Sequence, residues 1–162
     1  MALLLAIVVA TSFAPATCIG LSAPADAEVV RGFLPTGPYS GHWGIDIAVR
    51  DGAPVRAAAS GVVSFAGVVV RNRTVTVDHG GVKTSYSYLS ATRVRAGDRV
   101  RRGAVVGTAG IHDGRAALHF SVRVNGTYVD PQIALRCDHD PHAGLWLRAL
   151  DAKIPYPGPH AS

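Results

Sequence analysis

Two histidines and one aspartate hold the chain's clearest potential for chemistry. His42 and Asp46 lie in His42-Trp43-Gly44-Ile45-Asp46, and His119 in Ala117-Leu118-His119-Phe120-Ser121. The first pair is four residues apart, an even spacing, so an extended backbone points both side chains to one face. Gly44 lies between them on that face and leaves a gap where an ion or substrate atom could sit. Ile45, Ile47 and Val49 alternate to the opposite face and read as the buried side of a strand. Two imidazoles and one carboxylate make a minimal zinc set with a coordination position left open. With 7 histidines in the chain, the plainer alternative is that these are ordinary surface or core residues.

The elements that would position these groups read as strands. Residues 29–39 carry Gly32, Pro35, Gly37 and Pro38 and are expected to form a loop leading into the first motif. After the strand over 45–49 comes the turn Arg50-Asp51-Gly52-Ala53-Pro54. Residues 55–63 read as paired short strands bending at Gly61, a unit expected to end at Phe65-Ala66-Gly67. Thr74 to Asp78 and Val82 to Leu89 flank His79-Gly80-Gly81 as a hairpin. Gly97-Asp98-Arg99-Val100 and Gly103-Ala104-Val105-Val106-Gly107 echo Gly52-Ala53-Pro54-Val55 and Gly61-Val62-Val63, a duplicated strand–turn unit. Asn125-Gly126 between Leu118–Val124 and Tyr128-Val129 is a strong hairpin signal. No helical period is sustained between Glu28 and Pro131, so the expected fold is all-β, a compact antiparallel barrel or sandwich.

The 162 residues suit one domain, and 48% hydrophobic content makes it globular. A net charge of +5 favours an anionic partner, but no aromatic-plus-basic motif supports nucleic acid. The arginines at 93, 95, 99, 101 and 102 read as a solvated face. Residues 1–27 are expected to be a signal peptide cut after Ala25-Asp26-Ala27, with an uncleaved anchor as the alternative. The missing basic residue ahead of Leu3–Val9 departs from the usual leader. Residues 28–135 form the expected β domain, and residues 136–162 a C-terminal extension with a Pro-rich tail. Export would place the protein outside the membrane, secreted or wall-associated. Cleavage at Ala27 would remove Cys18 and leave Cys137 without an internal partner. The cluster Cys137-Asp138-His139-Asp140-Pro141-His142 reads as a polar surface loop.

These motifs, in order, resemble the lysostaphin-type zinc metallopeptidases. The resemblance rests on Gly41-His42-Trp43-Gly44-Ile45-Asp46, Gly52-Ala53-Pro54-Val55, Val77-Asp78-His79-Gly80-Gly81, Thr84-Ser85-Tyr86-Ser87-Tyr88-Leu89, Gly97-Asp98-Arg99-Val100, Leu118-His119-Phe120 and Asp130-Pro131. It implies a β-sheet fold, a zinc held by His42, Asp46 and His119, and action on peptides of bacterial peptidoglycan. It also implies two assisting histidines, but this chain has Tyr88 and Ala117 at those positions, and Ser121 where a glutamate is common. A positioned acid or base is worth ~10²–10⁴-fold and an oxyanion donor ~10²–10³-fold. Tyrosine is a poor base at neutral pH. No residue is therefore assigned a catalytic role, and substrate-binding residues are left open.

The expectation is a weakened or non-catalytic member that binds peptidoglycan or another anionic wall polymer. An active zinc endopeptidase is the alternative. His112 could reach the site, but reads first as a solvent-exposed loop histidine, and His79 reads as structural. A phosphocarrier, or a lipoyl or biotinyl carrier, fits less well. Lys83, the candidate carrier lysine, sits in a strand-like run rather than at a hairpin tip.

Overall fold

The computed structural model describes residues 20–38 and 40–136. Most of the expected leader, the 137–142 cluster and the Pro-rich tail lie outside the described residues. The strands are β1 (Val29–Arg31), β2 (Leu34–Gly37), β3 (Ser40–His42), β4 (Ile45–Ala48), β5 (Pro54–Arg56), β6 (Gly61–Val69), β7 (Asn72–Asp78), β8 (Val82–Thr92), β9 (Arg99–Val100), β10 (Val105–His112), β11 (Arg115–Val124) and β12 (Thr127–Val129). One short helix, α1 (Pro131–Leu135), follows, with Asp130 capping it by accepting from the Gln132 N–H. Apart from α1, the regular structure of the described residues is antiparallel β, as the alternating patterns predict. One sheet runs β1-β4-β11-β10-β8-β7-β6-β9, with β12 beside β11 and β5 beside β10.

Three local expectations are corrected. Residues 29–37, read as loop, contain β1 and β2, which pair with β4 and β3. Residues 55–63 do not pair with each other: β5 joins β10, and β6 joins β7 and β9. Nor does β6 end at Gly67. It continues to Val69, because Phe65, Ala66 and Gly67 all find partners on β7. Local pattern sets the extended state, whereas partner choice is non-local.

Ile45, Ile47, Val75, Val77, Tyr86, Leu118 and Phe120 bury one face of the sheet. Leu21, Val55, Ala57, Ala58, Val63 and Val106 belong to the same core. Leu21 is fully buried, the Ser22 N–H donates to the Ala58 carbonyl at 2.8 Å, and the Arg56 N–H donates to the Pro24 carbonyl at 2.9 Å. Core packing thus includes residues ahead of Glu28.

β8 organises the functional end. Residues 82–87 pair with β11, but residues 89–92 pair with β10. The change of partner falls at Tyr88, whose φ of 63° is the left-handed conformation that a non-glycine residue seldom adopts.

Candidate metal centre

His42 ends β3 and Asp46 lies on β4, with a bend at Trp43-Gly44 between them. The single extended strand expected over 42–46 is therefore corrected. A continuous strand would separate the two Cα atoms by about 13 Å, too far for one shared ion. The bend instead brings His42 Nε2 to 3.0 Å from Asp46 Oδ1. β11 supplies the third group through its register, which sets His119 directly opposite Asp46. His119 Nδ1 lies 2.8 Å from Asp46 Oδ1 and 3.1 Å from His42 Nε2. The gap beside Gly44 is filled by protein: a Cβ there would come 2.5 Å from the Phe120 carbonyl oxygen and 2.7 Å from the His119 ring.

The donor set suits a cation. His42 Nδ1–H donates to the Gly32 carbonyl at 2.7 Å, which turns the Nε2 lone pair toward Asp46 and His119. That orienting carbonyl lies between β1 and β2, in the stretch read from sequence as a plain loop. Burial alone would raise the Asp46 carboxyl. The hydrogen bond from His119 and the nearby His42, His112 and His119 outweigh it, holding the group below its usual range. The Asp46 carboxylate thus stays charged among three imidazoles, a donor set that a positive ion would complete. Among the described residues, His42, Asp46 and His119 form a group whose ligand atoms all lie within 4.8 Å of one another. Tetrahedral zinc with bonds near 2.0–2.1 Å needs ligand atoms roughly 3.3 Å apart, so a small outward shift would suffice.

The sequence reading placed His112 in an exposed loop, and the structure overturns this. Asp113-Gly114 is a two-residue hairpin turn, both residues at positive φ, and His112 is the last residue of β10. It is 7% exposed, with Nδ1 3.4 Å from Asp46 Oδ1 and Nε2 3.5 Å from Asp113 Oδ2. Its ring stacks on Tyr88, with centroids 3.6 Å apart and planes 16° from parallel. The Asp-Gly dipeptide was the sequence signal for this hairpin. Gly110 pairs with Ala117, so His112, two residues on, shares the face of Ala117 and His119. An imidazole from β10 thus stands beside the position where β11 carries only a methyl group. The Tyr88 phenol is raised above its ordinary value by desolvation first, then by Asp113 and Asp46, and stays a neutral O–H donor.

His79 takes no part in the site. Its Nδ1–H donates to the Ser60 carbonyl, and its Nε2 is paired with the Thr84 hydroxyl, each at 2.9 Å. Two hollows meet at His119. One, about 470 Å³, includes His42, Tyr88 and His112; the other, about 500 Å³, runs along the sheet past Ser121 to Arg123 and Tyr128.

Residues 40–131 match the family model described as Peptidase family M23. The DD-carboxypeptidase/endopeptidase Mpg of Neisseria meningitidis is 42% identical over 95 residues, which cover 56% of this chain and 22% of that protein. The match thus spans about a fifth of that relative's length. A zinc containing peptidase from Vibrio cholerae superposes with a TM-score of 0.59 and 29% identity, covering 72% of this chain and 39% of that one. The catalytic domain of lysostaphin from Staphylococcus simulans gives 0.55 and 26%, covering 67% and 90%.

Proposed function

The chain belongs to peptidase family M23, and from that premise we propose that it is a zinc-dependent hydrolase of peptidoglycan peptides, acting outside the membrane. It works more slowly than relatives bearing both assisting histidines, and His112 and Tyr88 serve in their place. The observation that carries this reading is the buried His112 imidazole beside Asp46, stacked on Tyr88. His42 Nε2, Asp46 and His119 Nδ1 would hold a zinc ion, which when bound would supply Lewis acidity toward a peptide carbonyl and water. Tyr88 O–H donates to the oxygen that gains charge as the carbonyl carbon becomes tetrahedral. His112 Nδ1 takes a proton from the attacking water and passes it to the leaving amine as the C–N bond breaks, with Asp113 orienting the ring through Nε2. The Gly32 carbonyl holds His42 in its ligating tautomer. Export is supported by the apolar run over residues 3–9, and the strap at Leu21 to Pro24 favours the uncleaved anchor over cleavage after Ala27.

A second reading, a wall-binding module without hydrolysis, is favoured by Ala117, which offers no polar atom where the family resemblance implies a histidine. Zinc analysis coupled to digestion of purified peptidoglycan separates the two. The expected result is about one zinc per chain and slow, chelator-sensitive release of peptides. His112→Ala should lower release ~10²-fold or more with zinc content unchanged, and Tyr88→His with Ala117→His should raise it. Wall binding without release supports the second reading. Absence of zinc, or indifference to His112→Ala, overturns the first.

A further inference from the structure

The groove on the far side of His119 from His112 is built as a series of rungs. Registers of β11, β8 and β7 align His119, Ser87 and Thr74 in one rung, and Ser121, Ser85 and Thr76 in the next. A third rung aligns Arg123, Lys83 and Asp78. Alternation puts all three rungs on one face. Four of the hydroxyls are partnered in pairs, Thr74 with Ser87 at 3.0 Å and Thr76 with Ser85 at 2.9 Å.

The charged rung is not so balanced. Lys83 Nζ lies 3.4 Å from Asp78 Oδ2, which offsets its charge. Arg123 faces that lysine across the strands, and among the described residues no carboxylate lies within 4.0 Å of its guanidinium. Its contacts are Ser85 Oγ at a long 3.4 Å and the face of Tyr128 at 5.3 Å, while its Nε is buried without a hydrogen-bond partner. Asp78, the one carboxylate in the rungs, is engaged by Lys83, and among the described residues no acidic side chain lines the hollow itself.

We propose that Arg123 is a specificity residue that receives a carboxylate of the substrate peptide. The proposal deepens the peptidoglycan reading and rests on it. Four strand residues separate His119 from Arg123, about 13 Å at 3.3–3.4 Å per residue. An extended substrate spans that distance in about four residues, so the carboxylate lies about three to four residues from the bond held at the metal centre. The preferred substrate is thus an acidic stem peptide, not an uncharged glycine bridge. The planar guanidinium, backed by Tyr128, suits a carboxylate held by two parallel N–H donors.

The test uses the full-length chain and two synthetic stem peptides, identical except that one carries free carboxylates and the other carboxamides. Calorimetry should show the acid binding roughly 10- to 100-fold tighter, since a charge-assisted pair has that worth. Arg123→Gln should abolish this preference, and Arg123→Lys should keep only part of it. Zinc content and circular dichroism of both variants should match the parent. Arg123→Met, which keeps the apolar stem over Tyr128, should behave as Arg123→Gln. Equal binding of acid and amide by the parent, or a preference that survives Arg123→Gln, overturns the proposal. If the parent digests the wall yet shows no charge preference, only the Arg123 assignment falls. If it neither binds nor digests wall peptides, the peptidoglycan reading falls with it.

Discussion

Gly44→Ala tests whether the bend between β3 and β4 builds the metal centre. A Cβ at residue 44 would lie 2.5 Å from the Phe120 carbonyl oxygen, against 3.4 Å for an ordinary contact, a shortfall of about 0.9 Å. It would lie 2.7 Å from the His119 ring, about 0.7 Å too close. The carbonyl belongs to the β4–β11 ladder, where Phe120 pairs with Ile45, so it cannot swing aside without breaking register. Either β4 and β11 separate or His119 turns, and each displaces Nδ1 by several tenths of an ångström. Metal bonds tolerate only about 0.2 Å. Zinc affinity should therefore fall at least ~10–100-fold, as when an orienting partner is lost. Overpacking should also lower stability by about 1–3 kcal/mol. Competition with a fluorescent zinc chelator measures the first effect, and denaturant melts of the metal-free protein measure the second. Gly52→Ala is the control: its φ of 75° makes alanine strained, but no atom lies within 4 Å. It should lose stability and keep zinc affinity. Wild-type zinc affinity in Gly44→Ala would refute the proposed role of the bend.

Two further outcomes concern stability. Burial first of all, with Arg102 assisting, depresses the His79 pKa below its ordinary 6.5, against the Ser60 hydrogen bond and Asp78, which act to raise it. The unfolded chain therefore binds more protons as pH falls through about 6.5. Stability from this group is present above that value, declines below it, and levels off once the folded imidazole is charged. Melting temperatures between pH 7.5 and 5 should fall, and His79→Gln should flatten the slope; an unchanged slope would refute the assignment. Starting the chain at Glu28 removes the fully buried Leu21 and the two strap hydrogen bonds to Ala58 and Arg56. Loss of one such leucine costs about 2–5 kcal/mol, so the truncated chain should unfold at clearly lower denaturant, and an unchanged midpoint would show that the strap is dispensable.

The sequence alone determined the all-β class, the strands around Val77, Tyr86 and Phe120, and the hairpin at Asn125-Gly126. These follow from period-two alternation and turn chemistry, which are local. It also nominated His42, Asp46 and His119, which the structure brings together. Tertiary structure decided how they meet: by a bend at Gly44 and a β4–β11 register linking residues 73 positions apart, not along one strand. His112 could be named only as a residue within reach and read first as an exposed loop histidine, because its burial depends on the Asp113-Gly114 hairpin and on Tyr88 arriving from β8. The Arg123 rung was missed because it exists only across three strands. Alternation shows which side chains share a face, but only pairing register shows which of them stand together.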